Sequence, residues 1–259
     1  LSNQEYTKYM ASAKKSTNAA NTAMVQRVGR RLANAVETYL KENGYAADVK
    51  NYSWEFNLVQ DKSANAFCMP GGKIVVYEGL LPYTQNETAL AIVLGHEIAH
   101  AVAKHSAEQL TKQQNQQTGT SILGTVLNQT VGNGVGNVAS AVAGQYFSFR
   151  NLKYSRDNET EADYMGLIFA AMAGYDPQQA IPFWKRMQQG SSSNQSDIFS
   201  DHPSDAKRIA ALEKAMPTAL KYYHPQAEAT TNKTATASTS TKKKTTAKKS
   251  TAKKTTRRK

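Results

Sequence analysis

The stretch that most constrains the fold is VLGHEIAHAVAKHS, residues 93–106. Within it, residues 96–100 read H-E-x-x-H. A spacing of four residues turns an α-helix by about 400°, so His96 and His100 lie on one face and can each offer a ring nitrogen to one zinc ion. Glu97 lies one position further round the helix, where its carboxylate can accept a proton from a water molecule. The motif therefore predicts a helix that supplies two ligands of a zinc site.

Two further residues of this region, His105 and Glu108, do not fit as a third ligand. If the predicted helix continues to residue 108, His105 lies about 140° around it from His100, and Glu108 lies about 12 Å further along the axis. Zinc–ligand bonds are only about 2 Å long. The third ligand must come from another segment, and we expect His105 and Glu108 to stay outside the site.

A second segment, SRDNETEADYMG at residues 155–166, supplies the missing ligand. Glu159 and Asp163 share a helix face because they are four residues apart, whereas Glu161 lies about 200° around the helix from Glu159. We expect Glu159 to bind the metal and Asp163 to hydrogen-bond a ligating histidine from behind. Three protein ligands and one water are typical of a catalytic zinc site. The sequence thus predicts one Zn²⁺ per chain, bound by His96, His100 and Glu159.

Three further residues are weaker candidates. Tyr154 and Arg156 precede Glu159, and a fixed hydroxyl or positive charge there could stabilise a developing oxyanion. Packing or an ordinary salt bridge is the alternative for both. Cys68, the single cysteine, has no histidine near it in the sequence and is interpreted as a small buried hydrophobe.

The chain is 40% hydrophobic, which is enough for one core, and we predict one domain over residues 1–228. Its predicted elements are an N-terminal helix at 20–43, a sheet at 49–77, metal-binding helices at 86–108 and 157–173, and a Gly-rich segment at 118–144. For the Gly-rich segment we expect two short helices packed through small residues; a flap or a membrane-touching segment is the alternative.

Residues 229–259 form a basic tail. Eleven lysines and arginines and no acid lie after residue 229, so the tail accounts for nearly all of the net charge of +12. Its Lys, Thr and Ala composition cannot bury a core, and we predict disorder. The tail could tether the chain to an anionic surface such as lipid, lipopolysaccharide or nucleic acid. A solubilising appendage is the alternative, since the tail has no aromatic residue to stack on bases.

The chain contains no run of about 20 apolar residues that would predict a transmembrane helix. It begins at Leu1 rather than at a methionine, which suggests the removal of an N-terminal segment. If that segment was a signal peptide, we expect an exported protein, with the removed segment as a candidate carrier of a lipid anchor.

Four stretches together resemble a known family, the Ste-type and Oma-type zinc metallopeptidases of peptidase family M48. They read NAFCMPGGKIVVYEGLL, LGHEIAHAVAKH, SRDNETEADYMG and HPSDAKRIAAL, within about residues 20–216. The resemblance is greatest to the soluble periplasmic branch, which includes the outer-membrane-assembly peptidase, and it implies a periplasmic location. It implies an α+β, predominantly helical, zincin-like (gluzincin) fold with a small antiparallel sheet beside the H-E-x-x-H helix. The family motif E-x-x-A-D falls on residues 159–163 and implies Glu159 as a ligand, in agreement with the spacing argument.

The resemblance also implies a function and two further parts of the site. The function is zinc-dependent endopeptidase action on unfolded or misassembled polypeptides of the cell envelope. A chaperone or assembly factor with minor proteolysis is the alternative. The extended run of Asn65, Ala66, Phe67 and Cys68 resembles the edge strand along which an extended substrate binds. His202 is implied as an inhibitory fourth ligand that holds the site closed, whereas a histidine before a proline is otherwise read as a surface loop residue.

Overall fold

Helices dominate the fold. The computed structural model describes residues 2–105, 154–190, 202 and 206–225, so Glu108, the Gly-rich segment and the basic tail lie outside the described residues. The helices are α1 (Ser2–Ser12), α2 (Ala19–Glu42), the short α3 (Leu81–Thr84), α4 (Glu87–Val102), α5 (Arg156–Met172), α6 (Ala180–Gly190) and α7 (Ala206–Lys221), and the strands are β1 (Glu55–Val59), β2 (Ala66–Met69) and β3 (Lys73–Tyr77). The chain divides into two units, residues 1–226 and 227–259. Among the described helices, none is long and apolar enough to cross a membrane.

The three strands form a mixed sheet in the order β1-β3-β2. β2 and β3 pair antiparallel through a tight turn in which Gly71 and Gly72 have φ of 92° and 85°, a region that favours glycine. β1, however, runs parallel to β3. The predicted antiparallel sheet is therefore correct only for the β2–β3 hairpin. β3 returns between β1 and β2, and a period-two pattern does not reveal which strands become neighbours.

The two faces of the sheet have different partners. Side chains alternate along each strand, so Ala66 and Cys68 face the main core while Phe67 and Met69 face the opposite side, where Tyr6 of α1 packs. As predicted, Cys68 is a buried residue, and burial raises the pKa of its thiol well above the ordinary value. β2 is therefore packed on both faces.

Helix α4 runs through the centre of the molecule. Its N-cap residue, Asn86, accepts a hydrogen bond from the Ala89 N–H, and every residue from Ala89 to Ala101 is buried. α5 begins at a capping box formed by Ser155 and Asn158. Because both helices are capped by their own sequence, their starting points, and hence their functional side chains, are set locally.

The backbones of α4 and α5 touch where two glycines meet. A Cβ added to Gly95 would lie 2.8 Å from the Gly166 carbonyl oxygen, and one added to Gly166 would lie 2.8 Å from the His96 nitrogen. Any side chain at either position would force the helices apart. The contact lies beside His96, so it brings the H-E-x-x-H motif directly against the helix that carries Glu159.

α4 ends earlier than the sequence predicts. It stops at Val102 rather than continuing to residue 108, and Lys104 adopts a left-handed conformation with φ of 61°. The left-handed residue interrupts the helical path of the chain before His105. The position of His105 therefore does not follow from helical spacing.

Candidate metal centre

Four ligand-type side chains converge in the interior of the fold. They belong to His96, His100, Glu159 and His202, and one atom from each lies within 4.8 Å of the others. α4 supplies the first two, α5 supplies the glutamate, and His202 precedes α7 in the sequence. All four residues are buried, and no other such group occurs within the described ranges.

The predicted ligands surround one point. The Nε2 atoms of His96 and His100 are 3.0 Å apart. Glu159 places Oε2 3.3 Å from Nε2 of His96 and Oε1 3.3 Å from Nε2 of His100. The sequence prediction thus named three residues whose ligand atoms the fold brings together from two helices.

Burial and neighbouring charges set the protonation of these groups. Burial raises the pKa of Glu97, so its carboxyl takes up a proton more readily than an exposed glutamate does. Burial lowers the pKa of His100 well below the ordinary value, so its imidazole is neutral, as a metal ligand must be. For His96, burial and Arg208 lower the pKa, but neighbouring carboxylates outweigh them and raise it to about 9. The carboxylates around His96 therefore favour positive charge at this position.

The buried site holds more carboxylates than permanently charged cations. Glu97, Glu159 and Asp163 contribute three carboxylates, whereas Arg208 is the one buried guanidinium among the described residues. Glu97 Oε1 and Glu159 Oε2 are buried and accept no hydrogen bond of good geometry within the described part of the chain. Buried charges are normally paired or bind metals, and imidazole nitrogen and carboxylate oxygen are usual zinc ligands. The residues present therefore fit a divalent cation such as zinc.

His96 is supported by a buried ion pair. Its Nδ1 lies 2.9 Å from Asp163 Oδ1, as the spacing of Glu159 and Asp163 predicts. Arg208 donates to Asp163 from both Nε, at 2.6 Å, and Nη2, at 2.8 Å, and its guanidinium lies 3.9 Å from the ring centroid of Trp184. Asp163 is thus fixed on both sides, although burial opposes its charge: Arg208 and His96 lower its pKa below the ordinary value.

His100 is supported differently, through a residue that the sequence analysis placed outside the site. Its Nδ1 lies 3.0 Å from Nδ1 of buried His105, and His105 Nε2 lies 3.1 Å from Glu161 Oε2. The expectation that His105 stays apart from the site is therefore wrong. It assumed a continuous helix, and the early end of α4 with the left-handed Lys104 returns His105 to the pair.

His202 lies among the ligands rather than on the surface. Its Nδ1 is 2.9 Å from Glu159 Oε1 and 3.2 Å from His96 Nε2, and its Nε2 is 3.4 Å from Glu97 Oε1. Its carbonyl oxygen accepts a hydrogen bond from Arg208 at 3.2 Å. The alternative interpretation of His202 as a surface loop residue is wrong.

Of the two candidate oxyanion stabilisers, Tyr154 contacts a predicted ligand. Its ring stacks on His100, with centroids 3.9 Å apart and planes 22° apart, and it is half-buried. Arg156 is exposed in the first turn of α5. The sequence analysis missed Arg208 and Trp184. The sequence contains one indication of Arg208, its position six residues after His202 in the HPSDAKRIAAL stretch, and none of Trp184.

Several known proteins have sequences similar to this chain. The sequence matches Peptidase family M48 over residues 19–216. It is 35% identical over 191 residues to the mitochondrial metalloendopeptidase OMA1 of Schizosaccharomyces pombe, covering 71% of this chain and 53% of that protein. The corresponding protein of Arabidopsis thaliana is 39% identical over 185 residues, covering 71% and 36%. The β-barrel assembly-enhancing protease of Escherichia coli is 29% identical over 161 residues, covering 61% and 33%.

The matched part of this chain thus spans about half or less of the length of these relatives. The family match, by contrast, covers most of the chain and includes both helices that carry the predicted ligands. It confirms the resemblance drawn from the four stretches and the predicted α+β, mainly helical zincin-like fold. The chain therefore belongs to peptidase family M48, a family of zinc metallopeptidases.

Proposed function

We propose that this chain is a zinc-dependent endopeptidase that acts on unfolded or misassembled polypeptides of the cell envelope. The observation that carries the proposal is the convergence of His96, His100 and Glu159 on one buried point, with the Glu97 carboxylate beside it. The family membership and the metalloendopeptidase names of similar proteins support the same reaction.

In the proposed reaction, the three ligands hold one zinc ion. When bound, zinc acts as a Lewis acid that lowers the pKa of water and polarises a peptide carbonyl. Glu97 accepts the proton of the attacking water and returns it to the leaving amine. Its raised pKa suits both steps, because burial makes the Glu97 carboxyl hold an accepted proton more readily than an exposed glutamate does.

Replacement of Glu97 tests this mechanism. Glu97→Gln keeps the size of the side chain but removes the proton acceptor, so zinc content should stay at one ion per chain while casein cleavage falls by at least about 100-fold. Zinc is measured by elemental analysis on the same samples. Cleavage at the wild-type rate by Glu97→Gln would rule the mechanism out.

We also propose that His202 is an inhibitory fourth ligand. Its ring lies between the other ligands and Glu97, in the space where a water and a scissile bond would react. Removing this ring opens the position without touching the proposed three-ligand set. His202→Ala should therefore cleave casein faster than wild type, and an unchanged or lower rate would contradict the closure.

The proposed substrate path is the edge of β2 remote from β1, which pairs with no further strand in the described part of the chain. The Tyr77 N–H donates to the Asn65 carbonyl, so the alternation of an antiparallel pair directs the backbone groups of Ala66 and Cys68 away from β3. The Ala66 N–H instead meets the Asn65 side-chain oxygen at 2.8 Å. An extended polypeptide can replace that oxygen with its own carbonyl, and this mode of binding favours unfolded substrates.

The closed arrangement around His202 also favours an alternative function, a chaperone or assembly factor in which proteolysis is minor. Cells that carry Glu97→Gln distinguish the two functions when they are compared with cells that lack the protein. Full recovery of envelope-protein assembly by the inactive variant would favour the chaperone. No recovery would favour the peptidase.

Three remaining proposals concern the surroundings of the site. Tyr154 and Arg156 are candidate stabilisers of the oxyanion; Tyr154→Phe should lower the turnover rate but not zinc content if the hydroxyl contributes.

The chain is proposed to be exported to the periplasm, with an N-terminal lipid anchor as a candidate attachment. The basic tail is proposed to bind an anionic surface, and deletion of residues 230–259 should abolish binding to anionic vesicles while leaving casein cleavage unchanged.

A further inference from the structure

His105 is a buried polar residue that the proposed reaction does not use. Its two ring nitrogens have different partners, Nδ1 of His100 on one side and the carboxylate of Glu161 on the other. The Glu161 side chain is 58% exposed, whereas His105 is buried. The three side chains therefore form a chain of contacts that runs from a proposed metal ligand to the protein surface.

Metal binding allows one arrangement of protons along this chain. If His100 binds the metal through Nε2, which faces His96 and Glu159, its proton must be on Nδ1. The Nδ1–H then donates to Nδ1 of His105, which must be unprotonated and accept. His105 consequently carries its proton on Nε2, where it donates to the Glu161 carboxylate. Every donor in the chain thus meets an acceptor.

We propose that His105 is a positioning residue: it holds the ring of His100 in the orientation and tautomer that present Nε2 to the metal, and Glu161 orients His105 in turn. The inference rests on the proposed ligand set. A metal-ligating histidine commonly donates its other N–H to a carboxylate or carbonyl, and losing that acceptor typically weakens metal binding by about 10- to 100-fold. Here a second histidine provides the acceptor.

The local backbone supports a specific role for His105. A continuous helix would carry residue 105 away from His100, but Lys104 adopts a left-handed conformation that a residue with a side chain rarely takes. Tyr154 stacks on the ring of His100 and limits its rotation in another direction. The ring of His100 is thus held by a hydrogen-bond acceptor at its edge and by an aromatic ring on its face.

The test is a zinc titration of the full-length, metal-stripped protein in competition with a chromogenic chelator. His105→Leu fills a similar volume but has no acceptor, and His105→Asn places a side-chain oxygen near the position of Nδ1. Glu161→Gln removes only the charge. The matched controls are His224→Ala, an exposed histidine, and Glu213→Gln, an exposed carboxylate that pairs with Lys185.

We expect His105→Leu to bind zinc about 10- to 100-fold more weakly than wild type and His105→Asn to recover most of that loss. Glu161→Gln should weaken binding by about threefold at most, because solvent screens its charge, and both controls should match wild type. The visible spectrum of the Co²⁺-substituted protein should change in His105→Leu, since a misoriented His100 alters the ligand geometry.

Zinc affinity of His105→Leu within about twofold of wild type would overturn the inference, as would a His105→Asn variant no better than His105→Leu. A purely structural role would lower the thermal midpoint of the metal-free protein equally in both variants without separating their zinc affinities. These outcomes are distinct from failure of the proposed function, in which the wild-type protein itself would not bind one zinc ion.

Discussion

The two histidines of the H-E-x-x-H motif lie one turn apart on the same helix, yet they are supported in opposite ways. His96 contacts Asp163 directly, and Arg208 fixes that carboxylate in the buried interior. His100 contacts His105, whose other partner, Glu161, is largely exposed. One support is thus a buried ion pair isolated from water, and the other is a hydrogen-bonded chain that ends in solvent. The difference teaches that the motif fixes the relative position of the two histidines but not the environment that orients them.

The largest effect should come from breaking the buried support. Arg208→Met removes the guanidinium while keeping much of its volume, which leaves the Asp163 and Glu159 carboxylates buried beside each other without their cation. We expect the free energy of unfolding of the metal-free protein to fall by about 3–5 kcal/mol, measured by urea denaturation.

The matched control for that change is Arg27→Met. Arg27 also binds a carboxylate through two nitrogens, that of Glu87, but its side chain is 52% exposed. An exposed pair contributes at most about 1 kcal/mol. Equal losses in the two variants would show that burial is not what distinguishes the support of His96.

A second prediction compares the same chemical change in the support of His96 and in the support of His100. Asp163→Asn and Glu161→Gln each replace a carboxylate by an amide that can still accept a hydrogen bond. We expect Asp163→Asn to weaken zinc binding by about tenfold or more, and Glu161→Gln by about threefold at most, because only the first charge is shielded from water. Chelator competition measures both, and similar losses would contradict the asymmetry of the two supports.

The smallest effect should appear at the start of α4, outside the site. The hydrogen bond from Arg27 lowers the pKa of Glu87 below 4.5. A lowered carboxyl pKa stabilises the fold above about pH 4.5, and this contribution is lost as the pH falls through the pKa of the folded state. Glu87→Gln should therefore lower the free energy of unfolding by less than about 1 kcal/mol near pH 7, and the difference from wild type should shrink near pH 3.5. Urea denaturation at both pH values checks this; a difference that grows on acidification would contradict the sign.

The sequence predicts the centre of the site better than its periphery, for a physical reason. His96, Glu97 and His100 follow from the spacing within one helix, and Asp163 follows from its spacing to Glu159 on a second helix. Each of these inferences needs only local geometry. The structure places all five in the relations that helical periodicity predicts.

Interactions between distant segments are less accessible. Arg208 reaches Asp163 and Glu159 from a helix that begins more than 40 residues later, and no periodicity relates the two segments. His105 was misplaced because a helix end depends on single residues, here the left-handed Lys104, and no glycine or proline marks that end in the sequence. The same limit explains the sheet: hydrophobic alternation identifies strands but not their order, so the parallel pairing of β1 with β3 could not be inferred.

The contact between Gly95 and Gly166 has a consequence for how this site tolerates change. Because the main chains of α4 and α5 touch, the distance between the two helices at the site is set by backbone contact and not by side chains. A single methyl group at either glycine would act as a wedge that moves Glu159 and Asp163 away from His96 together. Gly95 and Gly166 supply no ligand atom, yet we expect them to tolerate substitution as poorly as the proposed ligands do. The dimensions of this site therefore depend on two glycines, each of which has a hydrogen atom where other residues have Cβ.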